Sequence, residues 1–204
     1  MRFTKTLMAA GLLAAIPMMA NAESQFTTGA GTPITASARL DFQIVIPKII
    51  YLRVGTGTNL ANNAAVDLIT FTVPAATVGN STPVAGTGGD LTAGVVTARV
   101  VGNNGIVTLS STTSGNLTTG VAAEAIAYSQ ITTTPAVLSS ATALPAPALA
   151  SGATTSIALT PVNRVTNQDA RWTYTYLNNA VVASGTYGGV NLNGGRVTYT
   201  ASMP

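Results

Sequence analysis

The sequence predicts an all-β protein folded as a β-sandwich, and three observations support this prediction. Charged residues make up only 7 % of the chain, and small residues such as Thr, Ala, Gly, Val and Ser dominate it. After the first 22 residues, no segment shows the 3.6-residue apolar repeat of an amphipathic helix. Apolar and polar residues instead alternate in short runs that end at Gly, Asn or Pro, which is typical of half-buried strands. We therefore expect one domain of about eight to ten strands.

The first 22 residues predict export from the cytoplasm. Arg2 and Lys5 give a positive start, and residues 7–20 are uncharged and mostly apolar. Ala20-Asn21-Ala22 has the small-x-small pattern after which signal peptidase cleaves, so we interpret residues 1–22 as a signal peptide. The apolar run is shorter than the roughly 20 residues needed to cross a bilayer, and we expect no stable membrane insertion.

Residues 23–46 carry the strongest periodic signal of the chain. A polar tail, residues 23–33, precedes seven apolar side chains at alternate positions, which are Ile34, Ala36, Ala38, Leu40, Phe42, Ile44 and Ile46. Period two over this length predicts a strand with one buried face. Pro47 ends the segment, because proline cannot donate to a sheet ladder.

Two interpretations of residues 34–46 follow from this pattern. In the first, the segment is an ordinary first strand within its own domain. In the second, it is a donor strand that adds to an open sheet edge of another molecule, since unpaired edges accept a further strand. We favour the donor strand, because the segment lies near the N terminus, is long and alternating, and is separated from the rest of the chain by Pro47.

The segments after Pro47 predict the remaining strands. These are residues 49–54, 66–73 with a bulge near Leu68, 95–101, 106–110, 125–131, 155–159, 171–177 and 196–203. Between the third and fourth of them lies Gly102-Asn103-Asn104-Gly105. Because Asn and Gly accept positive φ, we expect a hairpin at this turn.

Aromatic residues concentrate on one predicted strand, at residues 171–177. Trp172, Tyr174 and Tyr176 fall on the same face of it. If exposed, they would stack on sugar rings as in a lectin. If buried, they are the bulky residues of a sandwich core, each contributing about 1.5–3 kcal/mol. We favour the core, because the chain has a single Trp and few other aromatic residues.

The residue inventory argues against catalysis. The chain has no His and no Cys, so it lacks an imidazole base and a thiolate nucleophile. After the predicted signal peptide the only lysine is Lys48, and the acidic residues stand singly, at Glu23, Asp41, Asp67, Asp90, Glu124 and Asp169. The sequence contains neither a calcium-binding carboxylate loop nor a complete phosphate-binding loop. We expect no enzyme activity, metal or cofactor, and the scattered basic residues predict no nucleic-acid partner.

Short motifs near both ends of the predicted domain resemble those of chaperone–usher pilins. Ala36-Ser37-Ala38, running into Ile44-Val45-Ile46-Pro47-Lys48, is similar to the start of mature fimbrial subunits. Gly185-Thr186-Tyr187, followed by Arg196-Val197-Thr198-Tyr199-Thr200, is similar to their C-terminal strand. The order of signal peptide, polar tail, alternating segment and sandwich is also that of this family.

The resemblance implies an incomplete immunoglobulin-like sandwich at residues 47–204, completed by residues 34–46 of a neighbouring subunit. It implies a periplasmic chaperone that pairs with the last strand, near Val197, Tyr199, Ala201 and Met203. It also implies an outer-membrane usher that exchanges the chaperone for the donor strand. The expected function is a structural subunit of an extracellular pilus of identical copies. The alternative is a self-complete, secreted, lectin-like binding module whose first strand pairs within its own domain.

Overall fold

The structure, a computed structural model, describes residues 24–204. The predicted signal peptide, residues 1–22, lies outside the described residues. The chain divides into two compact units, one ending at Ile46 and the other spanning Pro47–Pro204.

The second unit is all-β, as the sequence predicts. Its strands are β1 (Ile50–Val54), β2 (Ile69–Thr70), β3 (Val84–Ala85), β4 (Thr87–Gly88), β5 (Val95–Gly102), β6 (Val107–Thr113), β7 (Leu117–Thr118), β8 (Ala125–Ile126), β9 (Ile131–Ala136), β10 (Thr154–Leu159), β11 (Thr166–Tyr176) and β12 (Val197–Ser202). Two single-turn 3₁₀ helices span Ala75–Thr77 and Tyr128–Gln130. Seven of the strands have five or more residues, and the others have two.

The larger sheet has the strand order β1-β5-β11-β3, with β9 paired to the other edge of β11. All its pairs are antiparallel. The central strand, β11, pairs with β5 over residues 166–173 and with β9 over residues 171–176. Trp172, Tyr174 and Tyr176 on this strand are all buried, which confirms their interpretation as core residues.

The second sheet has the strand order β10-β6-β12 and is also antiparallel. Along β12 partly buried residues alternate with exposed Thr and Ser, so the predicted period of two is present. Thr suits such positions because a β-branched side chain packs well on a pleated surface. Two further sheets are short ribbons, β2 with β4 and β7 with β8.

The inner faces of the two main sheets share one core. Its buried apolar residues come from both sheets and from the connections between strands, and are Val96, Ala98, Val100, Val107, Leu109, Tyr128, Leu144, Leu149, Leu159, Ala170, Trp172 and Tyr174. Trp172 on β11 and Tyr199 on β12 face each other with ring centroids 5.3 Å apart. The aromatic pair therefore joins the two layers, in a tilted geometry that favours aromatic contact.

The predicted hairpin at residues 102–105 is wrong. β5 and β6 lie in different sheets, so this turn carries the chain from one layer to the other. Gly102 allows the crossing, because a Cβ there would lie 2.8 Å from Cγ2 of Val107. Asn103 then binds the start of β1, accepting from the Ile49 amide at 2.8 Å and donating to the Pro47 carbonyl at 2.7 Å.

Two other predicted strands are much shorter than expected. Of residues 66–73, only β2 is a strand, because its partner β4 offers a two-residue ladder. Residues 125–131 divide into β8, a 3₁₀ turn and the start of β9. The predicted strands at 49–54, 155–159 and 196–203 agree with β1, β10 and β12 to within a residue at each end.

The first unit is described from Ser24, and its residues 24–46 are exposed throughout. In the described part of the chain the first strand begins at Ile50. The structure therefore shows residues 34–46 outside any sheet, and both interpretations of the segment stay predictions. The exposed fractions are high for the large apolar residues, at 76 % for Leu40, 85 % for Phe42 and 84 % for Ile44.

Candidate functional site

An open groove runs along one edge of the second unit. It has a volume of about 1100 Å³ and is bordered by β1 from the larger sheet and β12 from the smaller one. Among the described residues, β1 pairs only with β5 and β12 only with β6, so each keeps one unpaired edge. Small-molecule pockets usually enclose about 300–1,000 Å³. The groove is at the upper end of this range, and its free strand edges suit an extended polypeptide.

The groove is lined mainly by apolar residues, and the charged Arg53, Asp67 and Arg196 also belong to its lining. Leu52 and Val54 of β1 form one wall, and Val197 and Tyr199 of β12 form the other. Irregular segments around residues 65–73 and 182–189 complete the walls. The floor consists of core residues that reach the groove from below, which are Val96, Tyr128, Ile131, Leu149, Tyr174 and Tyr176.

Three tyrosines hold the floor and the β12 wall together. The Tyr128 hydroxyl donates to the Gly194 carbonyl at 2.7 Å, just before β12 begins. The Tyr174 and Tyr199 hydroxyls are 3.0 Å apart and join β11 to β12. These bonds connect the wall that carries the free edge to the buried core.

The same three tyrosines stay uncharged at neutral pH. Burial raises the pKa of Tyr128 to about 12. Burial also raises the pKa of Tyr199 to about 12, outweighing the lowering effect of its hydrogen bond with Tyr174. The pKa of Tyr174 is raised well above its ordinary value, first by burial and then by Tyr199. The floor therefore offers an apolar surface with neutral hydroxyls.

The structure brings the four predicted residues of the last strand to the inner face of the sandwich. Val197, Tyr199, Ala201 and Met203 are partly buried and pack against the core. Two of them, Val197 and Tyr199, line the groove. Pairing of this strand with a chaperone stays a prediction.

The seven predicted donor residues lie in the other unit. Ile34, Ala36, Ala38, Leu40, Phe42, Ile44 and Ile46 are all exposed. Single exposed apolar side chains are ordinary, whereas an unbroken series of them is a sign of an interaction surface. Their role as donor residues stays a prediction.

Of two other sequence features, the Gly-Thr-Tyr motif has a different place from the one expected and the aromatic residues of β11 have the expected one. Gly185-Thr186-Tyr187, which resembles part of a C-terminal strand, is an irregular segment in the groove wall, where the Tyr187 hydroxyl donates to the Ala183 carbonyl at 2.8 Å. Trp172, Tyr174 and Tyr176 are buried, so these three offer no exposed platform for a sugar ring.

The groove floor includes residues that sequence reasoning missed. Leu149 lies in a Pro-rich connection where no strand is predicted, and Tyr128, although within the predicted strand 125–131, lies in a 3₁₀ turn. The signal for Leu149 is chemical: it is the one residue of 145–153 other than Ala, Gly, Ser and Pro, and a large apolar side chain there is expected in the core.

Residues 24–204 contain no group of three or more His, Cys, Asp or Glu side chains placed to hold a metal ion. Within the same residues, no helix has the length and apolar composition needed to cross a membrane. The chain matches no family model, and neither a curated protein nor a solved structure shows significant similarity to it.

Proposed function

We propose that this chain is a structural subunit of an extracellular filament, assembled by donor-strand exchange in the manner of the chaperone–usher pilins that its sequence resembles. Residues 34–46 of one copy enter the groove between β1 and β12 of the next copy. The sandwich is then an incomplete immunoglobulin-like fold of seven long strands, which the neighbouring subunit completes. The chain itself carries no catalytic role in this proposal.

One observation carries the proposal: the same chain has a groove that lacks a strand and a segment that lacks a sheet. β1 and β12 each present an unpaired edge to the groove. Residues 34–46 present apolar side chains at alternate positions, and Leu40, Phe42 and Ile44 are at least 76 % exposed. A strand has this periodicity when one of its faces is buried.

Chemical complementarity supports the same pairing. The groove floor is apolar and its tyrosines are neutral, so apolar side chains of the donor segment would rest there on uncharged residues. The charged residues of the lining, Arg53, Asp67 and Arg196, lie outside the floor. Burial of each large side chain would contribute about 1.5–3 kcal/mol. The backbone of the segment would add hydrogen bonds along the free edge of β12, as in other cases of strand addition.

The proposal extends to the partners that the resemblance implies. A subunit with an open groove exposes apolar surface before assembly, so a periplasmic chaperone would fill the groove and pair with β12. An outer-membrane usher would then exchange the chaperone for the next donor strand. Export by the signal peptide at residues 1–22 and a final position on the cell surface belong to the same proposal.

Single substitutions in the donor segment test the proposal. Ile44→Asp places a charge on the face that would enter the groove, and burial of an unpaired charge is strongly unfavourable. Gln43→Asp adds the same charge on the opposite face of the same segment. We expect Ile44→Asp to abolish filament growth, measured by light scattering and electron microscopy, and Gln43→Asp to assemble as the unmodified chain does.

A mixing experiment gives the test more resolution. The Ile44→Asp chain keeps its own groove, so it can accept a donor strand but cannot pass one on. When it is mixed with unmodified chain, filament length should fall as its share rises, whereas Gln43→Asp should leave filament length unchanged. Filaments that grow normally from Ile44→Asp alone would contradict the proposal.

A further inference from the structure

The outer face of the β10-β6-β12 sheet is an array of hydroxyl groups. The cross-strand register places nine outward residues in three rows, which are Thr154-Thr112-Thr198, Ser156-Ser110-Thr200 and Ala158-Thr108-Ser202. Eight of the nine are Ser or Thr, none is charged, and all except the half-buried Ser110 are exposed. We call these nine residues the hydroxyl face.

The outer face of the larger sheet has a different character. Arg53, Arg99 and Asp169 are opposite one another in its cross-strand register, and Arg171 lies further along β11. Arg53 also forms an ion pair with Asp90, with 2.9 Å between nitrogen and oxygen. Thr132, Thr134, Thr173 and Thr175 also lie on this outer face, at its β9-β11 end. The two outer faces therefore differ in charge, because only that of the larger sheet carries Arg and Asp side chains.

We propose that the hydroxyl face is the surface through which two filaments of this protein associate side by side, face to face. The inference rests on the proposed function, because it requires filaments. When two identical faces meet about a two-fold axis, residues near the axis lie opposite residues of their own kind. A charged face then suffers like-charge repulsion, whereas a hydroxyl both donates and accepts a hydrogen bond and so can pair with another hydroxyl.

The hydroxyls are partly satisfied before any partner arrives. The Thr112 and Thr154 hydroxyl oxygens are 2.8 Å apart across the strands, and the Ser110 hydroxyl donates to the Thr200 carbonyl at 3.3 Å. Burial is costly mainly for polar groups that lose water and find no partner. The internal bonds reduce that cost, and the Thr methyl groups add apolar contact.

The size of the face predicts association between filaments and not between single subunits. Three strands about 4.8 Å apart and six residues long at roughly 3.3 Å each cover about 280 Å². A stable interface needs about 800 Å² from each partner. One face is too small, but a filament repeats it at every subunit, and many weak contacts acting together bind strongly.

Donor-strand exchange leaves the hydroxyl face available. The donor strand would add at the free edge of β12, beside the sheet and not over its outer surface. Thr200 and Ser202 are exposed and do not line the groove, whereas the exposed Thr198 borders both the groove and the hydroxyl face. Assembly along the filament and association between filaments therefore use adjoining surfaces of β12 that meet at Thr198.

Two lysines on the hydroxyl face test the inference in full-length chains assembled into filaments. Thr108→Lys/Ser156→Lys places them on exposed positions of β6 and β10, away from the groove. The matched control, Thr132→Lys/Thr134→Lys, puts the same charge on exposed positions of β9 in the other sheet. Low-speed sedimentation separates bundles from single filaments, and electron microscopy measures filament length.

Unmodified filaments should sediment as bundles, and the hydroxyl-face variant should lose most of the sedimenting fraction without a change in filament length. High salt should restore part of it by screening the lysines, and the control should sediment like unmodified filaments. Bundles that persist in the variant, or that are lost equally in the control, overturn the inference.

The experiment also separates this inference from the proposed function. If no filaments form from the unmodified chain, the proposed function fails. If filaments form but stay single, only this inference fails. Single filaments that bind insoluble polysaccharide through the same face would assign it to carbohydrate and likewise overturn the inference.

Discussion

The two long edges of the sandwich are built differently by the same chain. At one edge, between β9 and β10, the connecting segment of residues 137–153 crosses from one sheet to the other. At the opposite edge, between β1 and β12, both strands have an unpaired side and border the open groove. We call these the closed edge and the open edge.

The closed edge is bound to both sheets by side chains. On the larger sheet, the Trp172 indole donates to the Leu144 carbonyl at 2.8 Å, and the Leu144 amide donates to the Asp169 carbonyl at 3.0 Å. On the smaller sheet, the Ser111 hydroxyl donates to the Ala148 carbonyl at 3.0 Å. A segment without strand structure therefore has its backbone satisfied by the layers on either side.

Two kinds of contact cover the closed edge. Apolar side chains of the connecting segment, such as the buried Leu144 and Leu149, enter the core, and polar groups bind the backbone between them. Residues 34–46 have apolar side chains at suitable spacing, and they lie in the other unit. In the proposed assembly, that segment does for the open edge of another copy what residues 137–153 do for the closed edge within one chain.

The largest expected effect on stability lies at the closed edge. Trp172 is fully buried and binds the connecting segment of residues 137–153, which we call the closing segment. Trp172→Ala therefore leaves a cavity and an unpaired Leu144 carbonyl. We expect a loss of about 3–5 kcal/mol in the free energy of unfolding, measured by chemical denaturation. Val162→Ala, at a residue 76 % exposed, is the control and should change the free energy by less than about 0.5 kcal/mol.

A smaller effect should follow removal of the charge that anchors the closing segment. The Asp169 carboxylate accepts from the Ser139 and Ser140 amides, both at 2.8 Å, and from the Ser139 hydroxyl. Burial raises the pKa of Asp169, but these hydrogen bonds outweigh burial and lower it to about 2. Asp169→Asn should therefore reduce stability at neutral pH by no more than about 2 kcal/mol.

The pH dependence of stability checks this assignment. Because the pKa of Asp169 is lower in the folded chain than in the unfolded one, its contribution is present above pH 4 and is lost as the pH falls from about 4 to about 2. The fall in the free energy of unfolding between pH 4 and pH 2 should be smaller in Asp169→Asn than in the unmodified chain. Asp41→Asn, in the exposed segment, should show the same fall as the unmodified chain. An acid transition identical in all three chains would refute the role of Asp169.

At the open edge, Tyr128→Phe should lower the free energy of unfolding at neutral pH by about 1 kcal/mol, less than Asp169→Asn. The variant loses the bond to the Gly194 carbonyl and keeps the ring in the core. Tyr51→Phe, whose hydroxyl bonds the Thr58 carbonyl in an exposed position, is the matched control and should lose less.

Alkaline titration separates the two tyrosine variants further. Since burial raises the pKa of Tyr128 from 10.0 to about 12, its protonated form stabilises the folded chain below pH 10, and this contribution is lost as the pH rises towards 12. Between pH 9 and pH 12 the free energy of unfolding, measured by chemical denaturation, should fall less steeply in Tyr128→Phe than in Tyr51→Phe. Equal slopes would contradict the assignment.

The strands of the open edge could be predicted from sequence because their signal is local. Residues 196–203 alternate, residues 49–54 form a short apolar run interrupted only by Arg53, and the structure has β12 and β1 there. The closing segment gave no such signal, because its irregular backbone is satisfied by partners such as Ser111 and Trp172, many residues away. Apolar periodicity arises when one face of a strand or helix is buried. An irregular segment that is bound through side chains has no such face, so its sequence shows no period.

The pairing of strands was less predictable than their existence. The Gly-Asn-Asn-Gly turn fits a hairpin, and also fits a crossing between sheets. The choice depends on long-range contacts, since Asn103 binds Pro47 and Ile49, and Asn104 donates to the Pro204 carbonyl at 2.7 Å. The groove arises from the same pairing, because it exists only where β1 and β12 end up in different sheets.

The smallest expected effect on the isolated chain is also the one that best distinguishes the two edges. Phe42 is 85 % exposed, so Phe42→Ala should change the free energy of unfolding of a single subunit by less than about 0.5 kcal/mol. In assembled filaments the same ring would be buried in the groove, and its removal should cost up to about 3–5 kcal/mol per subunit contact, measured as a lower denaturant concentration for filament dissociation. Trp172→Ala should instead destabilise the subunit before any filament forms. If Phe42→Ala weakened the isolated subunit as Trp172→Ala does, the segment would belong to its own fold, and the open edge would be closed from within the chain.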